Sequence, residues 1–64
     1  MRDINRIEPI LELVRELWKA YPDMRLGQLV HNAAAITGWG NKDIFYIEDD
    51  QLANGIKALK EGAQ

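Results

Sequence analysis

The sequence predicts an all-α, single-domain protein: a small bundle of three main helices, with a short packed segment before the third. Three observations carry that expectation. Two amphipathic stretches, joined at Tyr21-Pro22-Asp23, fill the first half of the chain. A later stretch places Leu52, Ile56 and Leu59 in helical register behind an acidic run, Glu48-Asp49-Asp50. The strand-like run Ile44-Phe45-Tyr46-Ile47 lacks a second strand to pair with in so short a chain.

The first helix is expected within residues 5–20. Ile7, Ile10, Leu11, Val14, Leu17, Trp18 and Tyr21 recur at steps of three and four, which gathers them on one side. Trp18 and Tyr21 are expected in the core. Glu12 with Arg15, and Glu16 with Lys19, are i,i+3 pairs worth a few tenths of a kcal/mol each. Pro9 belongs in a first turn, so the regular helix starts near Glu8 or a looser turn over residues 4–8 leads into it. Ile4 extends the apolar stripe backwards and favours a docked turn over a free tail.

Pro22 ends this helix, because the residue before a proline is pushed out of the helical region. Asp23 is expected to cap the second helix, from about Met24 to Ile36, with Leu26, Leu29, Val30, Ala33 and Ile36 forming its main apolar stripe. Gly27 lies inside it at a cost of about 1 kcal/mol relative to alanine. A bulky group such as Trp18 packing on its backbone is one reason for it. Ala33-Ala34-Ala35 permits close helix approach, within the monomer or at an oligomer interface. Gly38 suits a left-handed stop, and residues 37–42 read as a loop. Residues 43–47 then form a short turn capped by Asp43, or an extended apolar strap, with Phe45 expected inside. The third helix spans 49–61, its acidic start favoured by the helix dipole. Gly55 weakens its middle, and Gly62-Ala63-Gln64 are expected to fray.

The chain has 64 residues, 47% of them hydrophobic, which sets it apart from disordered sequences and bounds it to one small domain, residues 1–64. Chains this short are marginally stable, and without cysteine there is no disulfide to help. Self-association is one remaining source of stability. Eight basic residues face ten acidic ones, for a net charge of −2. Binding by phosphate neutralisation needs the opposite balance, so nucleic acid is an unfavoured partner. No apolar run approaches the ~20 residues that span a bilayer. The expected location is the cytoplasm.

No catalytic set emerges. His31 is the only histidine, and neither serine nor cysteine is present to make a nucleophile with it. It reads as a partly exposed helix residue. Glu48, Asp49 and Asp50 do not follow the calcium-loop spacing, and helix capping explains them. Gly38-Trp39-Gly40 lacks the preceding strand of a dinucleotide site. The helix-turn-helix reading is disfavoured: about twelve residues separate helices 2 and 3, where three or four are required, and helices 1 and 2, which have the short connection, offer only Arg25, Gln28, His31 and Asn32 on helix 2 as polar readers. Neither a cofactor nor a metal is implied.

Arg6-Ile7, Ile10-Leu11-Glu12-Leu13, Trp18, Pro22-Asp23, Leu26, Gln28 and Thr37-Gly38, followed by Ile47-Glu48-Asp49-Asp50-Gln51-Leu52, stand in an order that resembles the YihD-like family of small bacterial proteins. It is also similar to short phage or bacterial proteins with a PDxRLGQL segment. The resemblance spans most of residues 6–60. It departs at Tyr46-Ile47, where the family has a different loop. It implies a small helical fold and brings no catalytic residues.

The expected function is therefore a non-catalytic protein-interaction module. Its working surface takes in Trp39, Tyr46 and the small-residue side of helix 2, Ala34 and Ala35, and a homodimer fits the same surplus of apolar residues. An alternative is a phage- or host-derived regulator that binds a larger enzyme through the acidic face Glu48, Asp49 and Asp50. A nucleic-acid-associated adaptor ranks third.

Overall fold

The computed structural model describes residues 2–62. Three α-helices make up the frame: α1 (Ile7–Ala20), α2 (Leu26–Ala34) and α3 (Asp49–Glu61). Short 3-10 turns at Ile4–Arg6 and Ile44–Tyr46 precede α1 and α3. No strand occurs among the described residues. No helix there is long and apolar enough to cross a membrane. The fraying expected at Ala63-Gln64 lies outside the described residues.

α3 packs on both other helices, whereas α1 and α2 barely meet each other. Leu17 of α1, Leu29 and Ala33 of α2, and Ile56 of α3 are fully buried at the centre. Leu13, Val14, Tyr21, Met24, Leu52 and Leu59 close around them. The Tyr21 hydroxyl, partly buried, donates to the Leu59 carbonyl at 3.4 Å, so its polar end is satisfied where its ring is packed. The body measures 35 × 27 × 18 Å, about two helix layers in its thinnest direction.

The helix ends bear out some expectations and correct one. Pro9 does fall in the first turn of α1. α2, however, is capped two residues beyond Asp23: Arg25 is its N-cap, and its backbone N–H donates to Gln28 Oε1 at 2.8 Å. Asp23 belongs to the turn. Gln28 supplies the reciprocal half of a capping box without a Ser or Thr in the leading position, so the composition hid it. At its far end α2 widens into a π-type turn, Ala35–Trp39, and breaks at Gly38, whose φ of 92° is the left-handed stop the sequence indicates. Thr37 Oγ1 donates to the Ala34 carbonyl at 2.8 Å and satisfies one of the carbonyls freed there.

The close approach sought at Gly27 occurs at Gly55 instead. Nothing lies within 4 Å of where a Cβ on Gly27 would sit. A Cβ on Gly55 would strike the Ala33 carbonyl oxygen and lie 2.8 Å from its carbon and 3.2 Å from Thr37 Cγ2. Ala33, Ala34 and Gly55 are all buried. Ala33 and Ala34 thus serve a contact inside the monomer, while Ala35 is exposed.

Trp18 is another correction. It is 39% exposed, and its Nε1 donates to the Met24 carbonyl at 2.8 Å, pinning the turn between α1 and α2. The ion pairs also differ in part. Arg15 meets Glu12 at 2.7 Å as expected, but Glu16 reaches across to Lys60 of α3 at 2.6 Å. The turn before α1 forms, yet Ile4 is exposed; what holds this segment is Arg6, whose Nε donates to Asp49 Oδ2 at 2.6 Å.

Candidate functional site

The connection between α2 and α3 carries most of the residues singled out for interaction. Asp43 builds its central turn: Oδ1 accepts from the Phe45 N–H at 2.9 Å, and the Tyr46 N–H donates to the Asp43 carbonyl at 3.2 Å. Ile47 N–H closes the turn on the Ile44 carbonyl at 3.2 Å. The backbone is therefore fixed. Its side chains nevertheless face outward.

Phe45, the only phenylalanine of the chain, is 81% exposed, and Tyr46 is 68% exposed. Their rings meet edge to face, with centroids 5.0 Å apart and planes at 76°. Core packing of Phe45 is overturned here. The turn is the expected short segment before the third helix, but Ile47, half-buried, is its most enclosed side chain. The physical reason is the size of the interior: Leu52, Ile56 and Leu59 of α3 already pack with Leu17 of α1 and with Leu29 and Ala33 of α2.

The other candidates are dispersed. Trp39 is half-buried, with the Lys42 ammonium 5.0 Å from its ring centre. Ala34 is fully buried and is removed from any working surface; Ala35, next to it, is exposed. Tyr46 is thus fully available, Trp39 partly, and the alanine side of α2 is split between interior and surface.

The acidic cluster is partly occupied from within. Arg2 lies 3.6 Å from Glu48 and 3.9 Å from Asp49, and Arg6 holds Asp49 more tightly. Asp50 is exposed, and its Oδ1 accepts from the Gln51 N–H at 2.9 Å. Two of the three carboxylates therefore fasten the N-terminal segment to the start of α3.

The reactive chemistry has few members. His31 is exposed on α2, beside Met24, Gly27, Gln28 and Asn32 along an open depression of about 420 Å³. No group of three or more metal-ligating side chains converges among the described residues.

A second surface was not singled out from the sequence. Ile7, Leu11 and Trp18 are 41%, 50% and 39% exposed along the outer side of α1. An open furrow of about 500 Å³ runs there, lined by Leu11, Val14, Arg15, Trp18, Lys19 and Pro22. The signal was present in the breadth of the α1 pattern: seven apolar residues exceed what one neighbouring helix covers.

No family model, curated protein or solved structure matches this chain.

Proposed function

We propose that this chain is a non-catalytic protein-interaction module of the cytoplasm, and that its working surface centres on Phe45 and Tyr46. The observation that carries this reading is the outward display of both rings on a hydrogen-bonded turn. Burying a phenylalanine stabilises a fold by about 1.5–3 kcal/mol, and a small domain forgoes that here. Rigid aromatic side chains, held in place before contact, make efficient anchors because little freedom is lost on binding. The partner is another protein with an apolar pocket facing the turn, and Trp39 with Lys42 borders the same connection.

Kinship with YihD-like proteins is part of this proposal only as a statement about the fold. The acidic-face reading is the weaker one, since Glu48 and Asp49 already have Arg2 and Arg6 as neighbours.

The test is affinity capture from the native cell with the wild-type chain and with Phe45→Ala/Tyr46→Ala. Loss of the captured protein with helicity unchanged, at low and high salt alike, is the expected result. Capture that survives the double substitution but disappears in high salt contradicts it and favours the acidic face.

A further inference from the structure

We infer that the outer face of α1 is a contact between two copies of this chain, packed antiparallel about a twofold axis. This face is separate from the Phe45–Tyr46 turn and stands on its own observations. Ile7, Leu11, Val14 and Trp18 follow one another at steps of four, three and four, the 3.5-residue repeat of a helix–helix seam. The furrow beside Leu11, Val14 and Trp18 meets a second one at Leu11, which continues to Ile7. α3 packs on the side of α1 that carries the buried Leu17, and Val14 sits at the edge of that core, while Ile7, Leu11 and Trp18 are left largely exposed beside it. The stripe is therefore continuous and open along its outer edge.

Charge selects the occupant. Glu8 and Glu12 stand along the N-terminal half of α1, Arg15 and Lys19 along the C-terminal half. A parallel second copy sets like against like. An antiparallel copy sets each half against its opposite. With Leu11 facing the partner's Val14, Ile7 faces the partner's Trp18, and Glu8 falls beside the partner's Arg15. The twofold axis repeats every one of these contacts. Arg15 has only an exposed pair with Glu12 to exchange for it, and such pairs are weak.

The two Trp18 rings, one at each end of the seam, are the aromatic anchors.

Sedimentation across a wide concentration range tests this, with helicity followed by circular dichroism. The wild type is expected to move from single to double mass. Glu8→Arg alone, or Arg15→Glu alone, turns both cross-pairs repulsive and is expected to weaken association about tenfold. An equimolar mixture of the two variants restores opposite charges at both positions, and is expected to associate at least as tightly as wild type. The double variant Glu8→Arg/Arg15→Glu regenerates the pairs within one sequence and is expected to do the same. A wild type that stays monomeric throughout overturns the proposal. So do single variants that associate as the wild type does, or a mixture no tighter than its components.

Discussion

At Gly55 the backbone of α3 comes so near α2 that a methyl group has no place to go. The obstruction is the Ala33 backbone, not a movable side chain, so relief requires separating two helices. Gly55→Ala is therefore expected to destabilise by ~3 kcal/mol in urea unfolding, the upper range for overpacking. Gly27→Ala is expected to do the reverse. Its Cβ enters open space, and the gain in helix propensity is up to about 1 kcal/mol. The two glycines look alike in the sequence, each interrupting an amphipathic helix. Only the depth of the facing backbone separates them, and periodicity does not encode that depth. Phe45 shows the same limit from the other side. Its composition says core, yet Phe45→Ala is expected to change stability by less than ~0.5 kcal/mol, because so little of the ring is covered.

At the scale of the element, helix ends and cross-helix ties decide the energetics. Gln28→Ala removes the acceptor for the Arg25 N–H and is expected to lower stability by about 1 kcal/mol in the same unfolding experiment. The tie between α1 and α3 has a pH signature. The hydrogen bond from Lys60, and then its charge, hold the Glu16 carboxyl below the ordinary value of 4.5. Glu16 therefore binds its proton less readily in the folded chain than in the unfolded one. Its stabilising effect is present in full above that ordinary value and fades as pH falls through the depressed one. The stability advantage of the wild type over Glu16→Gln is expected at neutral pH and should vanish in acid. A difference that persists in strong acid would rule out this ion pair as its source. The elements themselves were largely legible. α3 occupies the residues expected of it, Asp43 caps its turn, and Gly38 ends the second helical stretch, because each rests on local backbone chemistry. The Glu16–Lys60 pair was not legible, since its members lie 44 residues apart and Lys19 offered a nearer partner.

For the whole molecule, the governing fact is a shortage of interior. Three short helices enclose Leu17, Leu29, Ala33 and Ile56, and the remaining apolar residues must share the rim. The sequence disclosed the surplus but not its distribution. Trp18 reads as core and lies on the rim; Ala34 reads as surface and lies in the core. If the rim of α1 binds a second copy, folding and association are linked, and the melting temperature is expected to rise with protein concentration. The most direct measurement is residue-resolved NMR during serial dilution. Resonances of Ile7, Leu11, Val14 and Trp18 are expected to shift together as the dimer dissociates, while those of Phe45 and Tyr46 stay fixed and remain free for another protein. Shifts confined to Phe45 and Tyr46, or no shift at any concentration, would contradict the division of labour between the two surfaces.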